Sequence, residues 1–534
     1  RPGIPLVNIA ILLDLIADSF GDRTALTDGA ESLSYRDLRQ LARRVGADLD
    51  AHGAATLAFA DSCSAAVPAA LFGAAWAGVS YAPLNFRLPA DALQAQIERL
   101  DRPYAVASEP LAADLRGPTV TRTSDWRRRL EADDAGGTDR DDPAGAAYVE
   151  DPERAAVILF TSGSSGTPKA AVLSHDNLSS YVMDTVEFAG SGEDEALLLA
   201  APPFHIAGVA AVLTSVYSGR RILPLPSFTP NGWLDLARTG GATHAFVVPT
   251  MLARIVQCME ADRALRVPTL RSLSYGGARM AAPILERALE LFPETQFVNA
   301  YGLTETSSTI AVLGPEDHRQ ALSSTDPEAR RRLESVGRPL PGVEVAIFVD
   351  SGEMAPVGAR GLIRVRGPQV GGQYLDSATS LDEAGWLATG DVGSIDESGY
   401  LYVEGRVDDV IIKGGENLSP SEIEDALLRH AGVEAVAVVG VPDPDWGESV
   451  AAAVVLGPSM TGLLPTEITD ELTGWVRERL GSLKTPGRVV VYDDLPTTAS
   501  GKLLRRVVRD QLAGDRPAAA GSPVPDESMK EVSS

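Results

Sequence analysis

The hydrophobic pattern of this chain switches repeatedly between short apolar runs and helical spacing. Residues 6–20 are largely apolar but carry Asp14 and Asp18, which predicts an amphipathic helix rather than a buried strand. Asp37-Leu38, Leu41-Ala42, Val45 and Leu49 recur on one helical face. The run Leu57-Ala58-Phe59-Ala60 predicts a strand. An Ala-rich helix is expected over 65–77, with Pro68 in its first turns, and 79–85 reads as a strand that stops at Pro83. Further apolar runs at 155–160, 196–201, 245–248, 273–278 and 297–302 each end in small residues or proline. Such strand–helix alternation predicts α/β sheets, with ligands beyond the carboxyl ends of the strands. From Gly337 the texture becomes strand- and turn-rich (343–348, 361–366, 400–403), as in a small β subdomain. Ser419-Pro420-Ser421-Glu422 then reads as a capping box opening a helix with Ile423, Ala426, Leu427 and His430 on one face. A βαβ-like remainder is expected to about Gln511.

Composition narrows this picture. At 534 residues the chain exceeds what one core supports, so two or more domains are expected. Residues 131–153 hold nine acidic residues against one arginine, which marks a linker or surface loop. From Gly514 on, Ala, Pro, Ser and charge predict a disordered tail. No stretch reads as a membrane span or a signal peptide. Cys63 and Cys258 provide no disulfide framework, and the six histidines show no metal spacing, so a cytoplasmic location is expected. The net charge of −26 excludes a general binder of nucleic acid or anionic membrane, but not a local nucleotide pocket.

The chemistry begins at Thr161-Ser162-Gly163-Ser164-Ser165-Gly166-Thr167-Pro168-Lys169, directly after the apolar run 155–160. Glycines let backbone N–H groups approach a ligand closely, and hydroxyls and a lysine add donors, a composition suited to phosphate. A flexible linker is the competing reading, but linkers rarely interrupt a buried strand and end in Pro-Lys. A Walker A loop requires glycine before the lysine and Ser or Thr after it; Pro168 and Ala170 stand there instead.

Four more motifs follow in order: Tyr301-Gly302-Leu303-Thr304-Glu305; Thr389-Gly390-Asp391; Gly405-Arg406-Val407-Asp408-Asp409 with Lys413-Gly414-Gly415-Glu416-Asn417; and Pro496-Thr497-Thr498-Ala499-Ser500-Gly501-Lys502. Together the five resemble the adenylate-forming superfamily of acyl-CoA synthetases, peptide-synthetase adenylation domains and luciferases, over residues 12–506. The resemblance implies an α/β fold: a large N-terminal domain of α/β sheets with a small β subdomain (1–405), a hinge (406–409) and a small mobile α+β C-terminal domain (410–513), with a tail at 514–534. It also implies an enzyme that uses ATP, Mg²⁺ and coenzyme A. A carboxylate attacks the α-phosphate to give an acyl-adenylate and pyrophosphate, and a thiol then displaces AMP.

By the same resemblance, Thr161, Ser162, Gly163, Ser164, Ser165 and Gly166 hold the β- and γ-phosphates, and Lys169 is either a phosphate ligand or a solvated lysine shaping the loop. Gly276, Gly277 and Ala278 leave room for adenine, which Tyr301 stacks on among Asn299, Ala300 and Gly302. Thr304 and Glu305 serve catalysis, with Glu305 on Mg²⁺. Asp391 accepts from the ribose hydroxyls, with Arg406 near the ribose or phosphates. Lys502 orients the carboxylate for adenylation, Asp408 is the hinge, and His205 walls the acyl and thiol entrance. Lys413, Gly414 and Gly415 lie where pantetheine enters. Ala170 and Arg279 depart from the family pattern; Arg279 is expected to face solvent rather than a second substrate carboxylate.

Small residues at 207, 208, 276–278, 300 and 302, interleaved with Val248, Ile310 and Val312, suggest space for a medium-chain, aromatic or bulky alicyclic acid. The partners implied are that acid, ATP and CoA, with the chain a monomer or homodimer. Two alternatives stand beside the CoA ligase. A stand-alone adenylating enzyme loading a carrier protein is one; in its amino-acid-activating form the resemblance implies an aspartate near 204–215 for the substrate ammonium, and none stands between Pro202 and Arg220. A non-catalytic binding subunit is at odds with intact Glu305, Asp391 and Lys502.

Overall fold

A computed structural model describes residues 7–117, 120–132, 151–161, 168–262, 264–349, 351–377, 379–460, 462–498 and 503–514. Most of the loop after Thr161 (162–167) and the segment containing Lys502 (499–502) therefore lie outside the described residues, as do the tail and most of the acidic stretch.

Two large sheets make up the body of the N-terminal domain. One contains seven strands, the other nine, among the described residues. In the first, Ala155–Thr161, Ser80–Pro83, Thr56–Ala60, Pro103–Ala107 and Val120–Arg122 run parallel, and Lys169–Ser174 returns antiparallel to Ala155–Thr161. In the second, Gln296–Leu303, Ser272–Gly276, His244–Val247, Ala196–Leu199, Arg221–Pro224 and Thr24–Asp28 are parallel neighbours. Helices lie between these sheets and bury apolar faces from both. Leu12, Leu13 and Ile16 of Ala10–Phe20, Leu38, Val45 and Leu49 of Tyr35–Ala51, and Phe72 of Ala66–Trp76 join Leu57, Phe59, Val212, Leu213 and Ile222 in one cluster. Each such fully buried aliphatic side chain contributes roughly 1.5–3 kcal/mol.

The helix Ala66–Trp76 is apolar all round because it is buried all round. Its close packing on Tyr35–Ala51 requires Gly73 and Gly46: a Cβ at Gly73 would fall 2.5 Å from Val45, and one at Gly46 2.6 Å from the Trp76 ring. Asp37 does not belong to the buried face of its helix. It closes a capping box with Ser34, whose backbone N–H it accepts at 2.9 Å.

A four-stranded antiparallel sheet (Glu344–Phe348, Gly361–Arg366, Leu387–Ile395, Leu401–Arg406) forms the β subdomain. The C-terminal domain follows a short 3-10 turn, Val407–Asp409. Its sheet is built on the antiparallel pair Val433–Asp443 and Gly447–Leu456, so the expected βαβ pattern holds only for Gly447–Leu456, the helix Pro465–Leu480 and the parallel strand Arg488–Val491. The capping box at 419–422 does not form. The Ser419 hydroxyl instead donates to the Glu404 carbonyl (3.2 Å), and Glu422 pairs with Lys484, although Pro420 does occupy the first turn. Among the described residues no helix is long and apolar enough to cross a membrane.

Candidate active site

The carboxyl ends of the parallel strands face the motif residues, as an open α/β sheet requires. Ser272–Gly276 delivers Gly276-Gly277-Ala278, and Gln296–Leu303 carries Asn299 to Gly302 and leads into Thr304 and Glu305. Thr161 ends one parallel strand and Lys169 begins its antiparallel partner, the two residues opposite each other.

Three distant motifs meet in one hydrogen-bonded cluster. The Tyr301 hydroxyl donates to Asp391 Oδ2 at 2.6 Å, and Arg406 Nη1 lies 3.2 Å from Asp391 Oδ1. Asp391 is 6% exposed, and its backbone N–H donates to the Thr389 hydroxyl at 3.1 Å. It lies mid-strand in Leu387–Ile395 opposite Arg406, with Gly390 at φ +76° bending the strand beside it. Burial, and then the neighbouring carboxylate, hold the Tyr301 hydroxyl well above the ordinary phenol range. The phenol thus stays a donor, and Asp391 stays an oriented acceptor.

A second cluster ties the two large sheets together. Tyr374, on the two-residue strand Gln373–Tyr374 paired to Lys169–Ser174, donates its hydroxyl to Glu305 Oε1 at 2.8 Å. The Gly371 N–H donates to the Glu305 carbonyl, and Gln369 Nε2 donates to the Thr306 and Thr309 carbonyls. The Lys169 ammonium sits 5.5 Å from the Tyr374 ring centroid, within cation–π range. Beyond Glu305 the backbone is strained: Ser307 and Ser308 take φ of +55° and +111°, and Ser307 is fully buried. Thr304 lies in the same 3-10 turn as Glu305.

Among the described residues no group of three or more His, Cys, Asp or Glu side chains is placed to hold a metal. A single carboxylate with one oxygen tied to a phenol fits Mg²⁺ nonetheless, because that ion takes one or two carboxylates and completes its shell with phosphate oxygens and waters.

Several expectations change. Gly276, Gly302 and Gly208 have a backbone reason to be small, so their size is no argument for ligand space. A Cβ on them would fall 2.2 Å from the Ala300 carbonyl oxygen, 1.7 Å from that of Ser308 and 2.4 Å from that of Pro202, so each is small because backbones pass close by. Gly277 is required by its φ of +81°. Arg279 does not face solvent freely; it bonds to the C-terminal domain. Asn299 points its amide at the Ser335 carbonyl, at 3.2 Å. His205 sits at the start of the helix Ile206–Ser218, its ring 5.2 Å from that of Phe204. Lys413 bonds within its own domain, its ammonium 2.9 Å from the Leu483 carbonyl. Gly414 and Gly415, both at positive φ, form the two-residue hairpin turn beside it.

The family described as "AMP-binding enzyme" matches residues 13–375, and its "AMP-binding enzyme C-terminal domain" matches 422–502. This chain is an AMP-binding enzyme. A feruloyl-CoA synthase of an Amycolatopsis species is 33% identical over 500 residues, covering 91% of this chain and 95% of that one. The solved amide bond synthetase McbA of Marinactinospora thermotolerans is 29% identical with a TM-score of 0.80, covering 94% of this chain and 99% of that one. The o-succinylbenzoate CoA synthetase MenE of Bacillus subtilis, solved with the acyl-adenylate OSB-AMP, is 28% identical with a TM-score of 0.78, covering 96% and 99%. MenE has also been solved with ATP and a magnesium ion.

In this AMP-binding enzyme a cavity of about 250 Å³ opens at the seam between the two domains. Phe86, Pro202, Ser227 and Met251 line it from the N-terminal side, and Thr497 and Thr498 from the C-terminal side. None of residues 276–278, 299–305 or 391 lines it; it abuts the segment leading to His205 instead. Tyr374 and Gln369, which hold the turn at Glu305, escaped the sequence reading. Their partners are set by the pairing of a two-residue strand, which leaves no period to detect.

Proposed function

We propose that this AMP-binding enzyme is an ATP-dependent carboxylic acid–CoA ligase acting through an acyl-adenylate. The observation that carries the reading is the bond from Tyr301 to a buried Asp391 that also pairs with Arg406. It brings the second, third and hinge motifs to one point beside the strand ends.

In the first half-reaction a carboxylate oxygen of the acid attacks the α-phosphorus and pyrophosphate leaves. Asp391, held by Tyr301 and Arg406, accepts from the ribose hydroxyls, and the 276–278 and 299–302 segments enclose the base. Thr161, residues 162–166 and Lys169 donate to the β- and γ-phosphates. Thr304 stands beside them, and Glu305, fixed by Tyr374, holds Mg²⁺, which supplies charge neutralisation on the phosphates. Lys502 orients the two anions and stabilises charge at the α-phosphate. In the second half-reaction the CoA sulfur attacks the acyl carbonyl carbon and AMP leaves. The C-terminal domain turns about Asp408, bringing Lys413, Gly414 and Gly415 to the thiol channel beside His205.

An aromatic acid is the first class to test, since the similar feruloyl-CoA and o-succinylbenzoate enzymes both act on ring-bearing acids. A cytoplasmic location accords with the need for ATP and CoA and with the two free cysteines. The test is AMP release over a panel of carboxylic acids with and without CoA. Release with an amine but not with CoA would turn the assignment towards amide synthesis. Lys502→Ala is expected to abolish ATP–pyrophosphate exchange while thioester formation from supplied acyl-adenylate survives. Equal loss of both would remove Lys502 from its assigned role.

A further inference from the structure

Arg279 follows Gly276-Gly277-Ala278 directly and reaches out of the N-terminal domain. Its Nη2 donates to Asp425 Oδ2 at 2.5 Å, and its Nη1 donates to the Ser421 carbonyl at 3.2 Å. Both acceptors lie on the helix Pro420–Leu428 of the C-terminal domain. The Asp425 side chain is only 16% exposed, and its Oδ1 is buried without a hydrogen-bond partner among the described residues. Burial raises the pKa of this carboxyl, and Arg279 is the first group to draw it back down. On the carboxyl's own helix Glu424 opposes that effect, and nearby Arg429 assists it. A carboxylate so placed depends on its partner across the seam. A second pair across the seam, Arg254 with Asp494, is 52% and 72% exposed, a setting in which ion pairs contribute little.

Two residues before Arg279 the backbone takes φ +81° at Gly277, a conformation that glycine adopts without strain. At the same seam Thr497 and Thr498, within the lysine motif, line the cavity between the domains, whereas Lys413 and Gly414 bond within the C-terminal domain. The face turned towards the N-terminal domain thus carries Thr497 and Thr498, the last described residues before 499–502.

We propose that Arg279 is a positioning residue that latches the C-terminal domain in this arrangement and so favours the adenylate-forming half-reaction over the thioester-forming one. The inference rests on the ligase reading above. When the C-terminal domain turns away, Arg279 parts from Ser421 and Asp425. The pair therefore stabilises one arrangement only, as a population shift requires.

The experiment measures ATP–pyrophosphate exchange and, separately, thioester formation from supplied acyl-adenylate. Arg279→Ala is expected to slow exchange about tenfold, the scale of one lost charge-assisted contact, with thioester formation unchanged or faster. Arg279→Lys, which keeps the charge but loses the fork, is expected to fall between. Arg279→Asp combined with Asp425→Arg is expected to recover most of the exchange lost by either change alone. Unchanged exchange, an equal fall in both half-reactions, or a double variant no better than the single ones would overturn the latch. Absence of exchange in the unaltered enzyme with every acid would instead overturn the ligase reading.

Discussion

At the scale of single residues, the site depends on side chains that orient other side chains. Tyr374 illustrates this best. Its hydroxyl occupies one oxygen of Glu305, and burial together with that carboxylate keeps the phenol protonated. Tyr374→Phe removes one oxygen atom and leaves the packing. On the proposal that Glu305 holds Mg²⁺, half-maximal exchange should need about tenfold more Mg²⁺, since a group that orients a metal ligand accounts for about 10- to 100-fold in metal affinity. An unchanged Mg²⁺ titration would show that Glu305 needs no such support. Asp391, Tyr301 and Arg406 were legible in the sequence because each falls in a recurrent motif. That Tyr301 touches Asp391 was not, since 90 residues separate the two and no local rule links them. Arg279 was misread for a related reason. Exposure is the usual state of an arginine, and only a second domain packed over it reveals its partner.

At the scale of elements, strands and helices were legible wherever burial is one-sided. The face of Leu38, Ala42, Val45 and Leu49 follows from spacing alone, and so do the strand ends that aim at the site. Glycine was harder to interpret, because the same residue marks ligand space, a positive φ or a close backbone. Gly302 belongs to the last kind. An added Cβ would sit 1.7 Å from the Ser308 carbonyl oxygen, so Gly302→Ala must part Gln296–Leu303 from Ser308–Leu313. A loss of at least about 2–3 kcal/mol is expected, on the scale of an overpacked core. Gly474, inside the helix Pro465–Leu480 with nothing within 4 Å, is the contrast; Gly474→Ala should stabilise by about 0.5–1 kcal/mol. Denaturation midpoints that move in the same direction for both would contradict this.

Helix docking also carries a pH signature. His175 opens the helix His175–Thr185 and accepts the Ile9 N–H through Nδ1 at 3.3 Å. Burial, and then Arg154, lower its pKa to about 4, against the opposing pull of Asp151. The fold therefore favours neutral imidazole. Stability is complete above the unfolded value near 6.5 and declines as pH falls towards 4, by about 3 kcal/mol at most from this residue. His175→Asn, which keeps an acceptor near the same place but does not titrate, should flatten the fall in Tm between pH 7 and 5. An equally steep fall would assign the effect to other groups such as His244, whose pKa is likewise lowered by burial.

At the scale of the whole molecule, the ligase proposal requires the C-terminal domain to take two positions, and the 3-10 turn Val407–Asp409 is where the chain passes between domains. Two domains were legible from length and motif order. The contacts that hold them, at Arg279, at Ser419 and Ser421 on the Glu404 carbonyl, and at Arg509 on the Asp408 carbonyl, were not, because each joins surfaces that a sequence pattern treats as solvent-facing. The turn also decides how to test rotation. Proline at 408 would follow Val407, which lies in the turn, and proline disfavours helical geometry in the residue before it. Asp408→Pro would therefore disturb the observed arrangement as well as block departure from it. Val407→Pro avoids this. Arg406 before it is extended, at φ −78° and ψ 147°, and the first position of a helical turn accepts proline's fixed φ. The substitution should stiffen the turn as it stands. ATP–pyrophosphate exchange is then expected to stay within about twofold, while CoA-dependent turnover falls by at least about tenfold, as for a blocked conformational step. Undiminished turnover with CoA would mean that the domain does not rotate through Val407, and would confine any rotation to Asp408 and the residues after it.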